Sequence, residues 1–182
     1  MDLPLVVRRA MIGATLYTVV MSAGGIYWAW QKQELWKVPL NQLSRDEYLS
    51  REHQGYDTLY YPAVKYVNEN LPQEAVVLFL GEERGFYCER RFVTSSVFDV
   101  NPLLLMAEAS REPRHLLDAL KQQGISHLLV NRAAARFKEA GARLSPRARN
   151  NIEWLLGKGS QLLFNDRHDV PGARYWVQVY RI

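Results

Sequence analysis

Apolar positions along this chain fall into two regimes. From Ala10 to Trp30 (AMIGATLYTVVMSAGGIYWAW) no charged side chain interrupts the sequence, and at about 1.5 Å of rise per residue a helix of that length crosses a hydrocarbon layer of roughly 30 Å. Beyond Gln31 the polarity is mixed, with short apolar runs and helical stripes punctuated by Pro and Gly. The pattern predicts a transmembrane helix with a short N-terminal flank over 1–30, a juxtamembrane connector over 31–54 and a soluble α/β domain over 55–182.

Three other readings of the apolar segment compete with a spanning helix. A cleaved signal peptide needs a small residue where Met21-Ser22-Ala23 places a Met, and the apolar run continues past that point through Ile26 to Trp30. A core helix would carry a polar face, and an interfacial helix a row of Lys or Arg. Tyr27, Trp28 and Trp30, with Trp36 just beyond, suit the headgroup level, where amphipathic rings collect. Ala10, Ala14, Thr18 and Ser22 recur every fourth residue and stack on one helical face, where small side chains admit a neighbouring helix. Small residues are also simply common in membrane helices. The tight Arg8-Arg9 pair ahead of the segment, against Lys32 and Lys37 after it, favours a cytoplasmic N-terminus and an extracytoplasmic domain.

In the soluble part, Ser44 and Glu47 have capping-box spacing, with Leu43 and Tyr48 placed as a staple, so a short helix is expected to start there. Ala63, Val64, Val67 and Leu71 form a helical stripe ended by Pro72. Ala75 to Leu80 is apolar on both faces and stops at Gly81, the signature of a doubly covered strand. Phe92 to Val97 is a second strand candidate. Asn101-Pro102 starts a helix, Leu116, Leu117 and Leu120 mark another that Gly124 closes, and Ile125 to Val130 is the next buried strand. Ser145-Pro146 opens a helix with Ala148, Ile152, Leu155 and Leu156 on one face, expected to end at Gly157. The tail reads as a hairpin, with Gln161 to Phe164 and Tyr175 to Ile182 joined by a turn-rich Asn165 to Gly172. Helices alternating with buried strands imply a Rossmann-like layered α/β domain with a mainly parallel sheet and a C-terminal antiparallel hairpin.

Charge and composition narrow the chemistry. With 23 Lys and Arg against 19 Asp and Glu, the net charge of +4 is too small and too scattered for a nucleic-acid binder. Cys88 is the single cysteine, so there is no internal disulfide and no cysteine-rich metal site. Asp166, His168 and Asp169 sit where turn-forming residues are expected for backbone reasons, and no metal site is assigned. His53, His115, His127 and His168 are scattered without a Ser/His/Asp set, so no catalytic residue is assigned either. Glu89 beside Cys88 disfavours a thiolate, although Arg90 and Arg91 oppose it.

The candidate ligand- or partner-binding residues lie just past the ends of two predicted strands, where open α/β sheets bind ligands. They are Gly81, Glu82, Arg84, Gly85 and Tyr87 after the first strand, and Asn131 and Arg132 after the Ile125–Val130 strand. The glycines permit a tight turn, Glu82 and Arg84 can grip a polar group, and Tyr87 can stack on a sugar-like face. The alternative is a solvated loop with an internal Glu–Arg contact of little energetic consequence. Gly81-Glu82-Glu83-Arg84-Gly85 lacks dinucleotide-binding spacing, and Gly157-Lys158-Gly159-Ser160 follows a helix instead of opening one. No cofactor is implied.

One combination of motifs carries a resemblance. Tyr60-Tyr61-Pro62-Ala63 leading to Tyr66-Val67-Asn68, then Leu71-Pro72, a buried strand, Gly81-Glu82-x-Arg84-Gly85-Phe86-Tyr87, and Leu120 followed by Gly124-Ile125-Ser126-His127-Leu128-Leu129-Val130-Asn131, resembles the soluble C-terminal domain of bacterial family 39 glycosyltransferases, the multi-pass, protein-mannosyltransferase-like enzymes of the GT-C class. The resemblance covers nearly all of residues 10–182. It implies a polyprenyl-phosphate-linked sugar donor, a bacterial inner-membrane location and an extracytoplasmic domain after a last membrane helix. The family's catalytic carboxylate lies in an early loop between membrane helices, and no such loop occurs in this chain. The resemblance therefore implies a terminal fragment or separately encoded subunit, non-catalytic by itself, whose partners are the membrane, other transmembrane helices and a lipid-linked sugar or glycan acceptor. The competing reading is a stand-alone membrane-anchored module that binds a sugar or an anion.

The membrane assignment is open to direct measurement. The full chain is expected to stay with the lipid fraction through an alkaline wash and to need detergent for extraction, and a reporter fused after Ile182 is expected to be active only outside the cytoplasm. Recovery in the aqueous phase without detergent would remove the spanning helix, and a reporter active only in the cytoplasm would reverse the orientation.

Overall fold

The computed structural model describes residues 4–51, 59–96, 98–132, 134–135, 144–170 and 173–182, in two compact units, Met1–Gln54 and Gly55–Ile182. In the first unit, helix α1 (Leu5–Lys32) is 28 residues long and has no buried residue. It is long and apolar enough to cross a membrane, and its apolar side chains are spread around the axis without a polar stripe. The Thr15 hydroxyl donates to the Met11 carbonyl and the Thr18 hydroxyl to the Ala14 carbonyl, both at 2.9 Å, so neither needs a partner from outside the helix. That economy is what a hydrocarbon surround demands of a polar group. A short 3₁₀ turn, Leu35–Lys37, and helix α2 (Arg45–Leu49) follow. The expected capping box is present: Ser44 Oγ accepts from the Glu47 amide at 3.1 Å, and the Glu47 carboxylate accepts from the Ser44 amide at 2.9 Å. Leu43 is buried ahead of it.

The second unit is a layered α/β domain around a five-stranded mixed sheet of order β2-β1-β3-β5-β4. Strand β1 (Val76–Leu80) is interior and pairs in parallel with β2 (Arg91–Val93) and β3 (His127–Asn131). Strand β5 (Ala173–Arg181) runs antiparallel to β3, and β4 (Gln161–Val170) closes the far edge antiparallel to β5. Because successive side chains of a strand point to opposite faces, β1 and β3 feed two separate cores. Val77, Phe79, Leu129, Val177 and Val179 pack with Ala63, Val64 and Val67 of α3 (Tyr61–Asn70). Leu78, Leu80, Leu128, Val130 and Tyr180 pack against α4 (Pro102–Ala109), α5 (Pro113–Gln122) and α6 (Pro146–Trp154).

The helix starts follow their local chemistry. Asn101 caps α4 by accepting from the Leu103 amide at 3.0 Å while its Nδ2 donates to the Phe79 carbonyl at 2.7 Å, which ties the helix to the sheet beneath it. Ser145 caps α6 at the Ala148 amide, 3.1 Å, and the Glu108 carboxylate of α4 accepts from the Ser145 hydroxyl at 3.0 Å and from its amide. Those bonds hold the Glu108 carboxyl below its ordinary pKa.

Three details depart from the sequence expectations. The second strand is only Arg91–Val93, because Thr94 turns its hydroxyl onto the Glu82 carbonyl at 2.8 Å; Val97 lies outside the described residues. Helix α6 does not stop at Gly157 but runs on through a widened π turn, Leu155–Gly159, closed by the Ser160 hydroxyl on the Leu155 carbonyl at 2.7 Å. The expected turn-rich Asn165–Gly172 is mostly strand: β4 continues to Val170 after a register slip between Leu162 and Phe164. Cross-strand pairing overrides turn propensity here, with Asn165 Oδ1 accepting from Trp176 Nε1 at 2.8 Å. Pro171 and Gly172 lie outside the described residues.

Phe79 is fully buried in β1 and stacks on Phe92 with ring centroids 5.4 Å apart. Phe79→Ala is expected to destabilise the domain by about 3–5 kcal/mol, as read from denaturant unfolding. A loss under about 1 kcal/mol would mean that this core does not govern stability.

Candidate functional site

Strands β1 and β3 end side by side, and the backbone there is closer than most side chains allow. Gly81 has φ +74°, a left-handed conformation that glycine adopts freely, and a Cβ at that position would come within 2.5 Å of both the Asn131 carbonyl oxygen and the Ala135 amide nitrogen. The glycine read from sequence as a turn former is thus also the point where the two strand ends touch. At Gly85 a Cβ would fall 2.2 Å from the Phe92 ring, so that ring would have to shift to admit a side chain.

Between these glycines the chain buries a charge. Glu82 is 2% exposed, and its carboxylate accepts from Arg84 Nε at 2.6 Å, Arg84 Nη2 at 2.7 Å and the Arg84 amide at 3.0 Å. Asn131 Nδ2 approaches from the end of β3 at 3.4 Å. The side-chain pair is bidentate, the geometry that suits a guanidinium and a carboxylate. The Arg84 guanidinium carbon lies 4.0 Å from the centre of the Tyr60 ring, a cation–π contact on its other side. Asn131 Oδ1 also faces the Ala134 amide at 3.4 Å, and the Glu82 carbonyl receives the Thr94 hydroxyl.

The seven predicted residues are therefore not one constellation. Gly81, Glu82, Arg84 and Asn131 converge; Gly85 closes the same turn. Tyr87 instead packs edge-on to Tyr61, with centroids 5.6 Å apart, against the α3 side of the core. Its carbonyl accepts from Asn68 Nδ2 at 2.8 Å. Arg132 turns to the opposite face, where its Nε donates to Gln178 Oε1 at 2.7 Å and its Nη2 to the Tyr180 hydroxyl at 3.0 Å. Tyr60 and Thr94 were not legible as partners of the turn. Gln178, a polar residue between the buried Val177 and Val179, was the one available signal that the β5 run holds something polar.

The remaining titratable groups near the sheet have structural explanations. Burial raises the pKa of the Cys88 thiol, outweighing the Arg90 carbonyl that accepts its proton at 3.6 Å and the Arg90 charge nearby, so the thiolate that nucleophilic chemistry needs is disfavoured. Burial lowers the His127 pKa, with Arg181 adding to the effect, and its Nδ1 meets the Ser126 hydroxyl at 2.8 Å, at the amino end of β3. Among the described residues no group of three or more His, Cys, Asp or Glu could hold a metal ion. His53 lies outside the described residues.

No family model matches the chain, and no curated protein does. Among solved structures, the crystal structure of the C-terminal globular domain of oligosaccharyltransferase from Archaeoglobus fulgidus aligns with a TM-score of 0.40 and 12% sequence identity, covering 72% of this chain and 99% of that one.

A double-mutant cycle reads the role of the turn. Arg84→Ala strands a carboxylate that is 2% exposed and is expected to cost about 3 kcal/mol, the range for breaking a buried pair from one side. Glu82→Ala/Arg84→Ala together are expected to cost less than the sum of the singles by about 1–3 kcal/mol. Additive effects, with each single variant within about 0.5 kcal/mol of wild type, would instead make the turn a surface loop.

Proposed function

We propose that this protein is a membrane-anchored, extracytoplasmic accessory domain of a bacterial inner-membrane glycosyltransferase that uses a polyprenyl-phosphate-linked sugar, and that it does not itself perform the transfer. The observation that carries the reading is the state of the turn that the family resemblance points to. Gly81-Glu82-x-Arg84-Gly85 folds as a closed corner in which the carboxylate is bound on both oxygens. A general base must be within reach of the proton it removes before its pKa matters, and Glu82 faces Arg84 and Asn131 instead. The motif serves as scaffold, holding the end of β1 against β3.

The apolar helix α1 supports the membrane half of the reading. A domain tethered to such a helix works at the bilayer surface, and the Ala10–Ala14–Thr18–Ser22 stripe, none of it buried, suits packing against other transmembrane helices. The role left to the domain is to shape the approach of an acceptor or partner to a cavity built by those helices.

The test uses the purified full chain in nanodiscs with polyprenyl-phosphate sugars and a crude acceptor mixture. No transfer above a protein-free control is expected, whereas membranes lacking the chain should transfer less sugar from a lipid-linked donor and recover when the full chain is restored. Transfer by the isolated chain that disappears on mutating Glu82, Glu83 or Glu89 would make it a minimal enzyme. Unchanged transfer in membranes lacking it would leave the stand-alone binding module.

A further inference from the structure

A cleft lies on the α6 side of the sheet, away from the Glu82 corner. Its volume is about 260 Å³, with an apolar floor that includes Val130 and Ile152, and with Arg132, Arg149, Glu153 and Trp176 around it. We propose that this cleft binds one acidic saccharide unit, a hexose carrying a carboxylate or a phosphate.

The charge state of Arg132 is the first argument. Its guanidinium is half-buried and held by neutral acceptors, the Gln178 amide oxygen at 2.7 Å and the Tyr180 hydroxyl at 3.0 Å. Among the described residues no carboxylate pairs with it, in contrast to Arg84, whose charge Glu82 compensates. Three of its five N–H donors remain after those two bonds. Arg149, one turn into α6, lines the same cleft without a side-chain partner among the described residues. Both cations line one cleft, so an anion entering it is attracted by both.

The second argument is preorganisation. Asn165 Oδ1 accepts from Gln178 Nε2 at 2.9 Å and from Trp176 Nε1 at 2.8 Å, and the Tyr180 hydroxyl donates to Gln178 Oε1 at 2.6 Å. The network fixes the Arg132 fork and the Trp176 indole together before anything binds, and fixed donors bind at lower entropic cost than mobile ones. Arg132 lies 5.5 Å and Arg167 5.3 Å from the Trp176 ring centre.

The class of ligand follows from the mixture of groups. Glu153 would repel a bare phosphate or carboxylate, so its presence beside two arginines selects a ligand that carries hydroxyl donors as well as an anion. The Trp176 indole lines the cleft beside these cations and offers its remaining apolar edge to a pyranose, and about 260 Å³ accommodates a single such ring with some of its water. Few polar groups at fixed positions in an otherwise apolar concavity are the usual make-up of a small-ligand site.

The experiment is calorimetric and fluorimetric titration of the full chain in nanodiscs with glucuronate, glucose 6-phosphate, glucose and inorganic phosphate. Glucuronate or glucose 6-phosphate should bind about tenfold more tightly than glucose or phosphate, Arg132→Gln and Arg149→Gln should each weaken that binding about tenfold, and Trp176→Phe should abolish the fluorescence change. Glu153→Gln should strengthen phosphate binding while erasing the preference for the sugar-bearing anion. Melting temperature serves as the folding control, and Arg149, exposed on α6, provides a variant that leaves the core untouched. Binding unaffected by Arg149→Gln, phosphate held as tightly as the acidic sugars, or no saturable binding of either acidic sugar would each overturn the assignment. The measurement requires no transferase, so its outcome is separable from that of the membrane assay.

Discussion

The domain depends on one close approach of backbone to backbone, at Gly81. With φ +74° and only 2.5 Å between its missing Cβ position and the atoms of Asn131 and Ala135, this residue lets the exit of β1 lie against the exit of β3. Any side chain would push the strand ends apart, and a left-handed conformation would strain it as well. Everything beyond the contact is arranged by it: Glu82 is carried beneath the surface, Asn131 is brought to its carboxylate, and Thr94 reaches its carbonyl. The short β2 is set beside β1 by the loop that leaves this corner.

A buried ion pair is an expensive way to close a turn, because desolvating a carboxylate and a guanidinium offsets most of their attraction. What the Glu82–Arg84 pair contributes is geometry. The carboxylate receives the amide, Nε and Nη2 of the same arginine, so the loop can close in one way, and the Tyr60 ring at 4.0 Å covers the guanidinium from the α3 side. An apolar pair could fill the volume without specifying that closure.

The two arginines that follow the strand ends have opposite fates. Arg84 turns to the α3 face and is neutralised by its neighbour two residues away; Arg132 turns to the α6 face, where its partners among the described residues are an amide oxygen, a hydroxyl and the Trp176 ring. They end on opposite sides of the sheet, Arg84 against Tyr60 on the α3 side and Arg132 against Gln178 and Tyr180 on the α6 side. A rim that looks continuous along the sequence is thus divided by the sheet into a structural corner and an open, positively charged cleft.

Local chemistry alone determined a large part of this protein. The charge-free run of α1, the Ser44 capping box, the Asn101 and Ser145 caps and the doubly apolar strands each arise from interactions within a few residues, so they could be read directly, and with them the layered α/β class and the antiparallel tail. The length of β2 and the extension of β4 through Asn165–Val170 could not, because each is decided by a partner distant in sequence: the Glu82 carbonyl for Thr94, and the facing strand for Asn165. The candidate residues divide the same way. Gly81, Glu82 and Arg84 were visible as a turn with a possible ion contact, but its burial depends on Tyr60 and Asn131, and the surroundings of Arg132 depend on Gln178 and Tyr180, 46 and 48 residues further on. Hydrogen-bond partners and desolvation are properties of the packed sheet, and only the tertiary structure decided which arginine meets a carboxylate and which meets an amide, a hydroxyl and an indole.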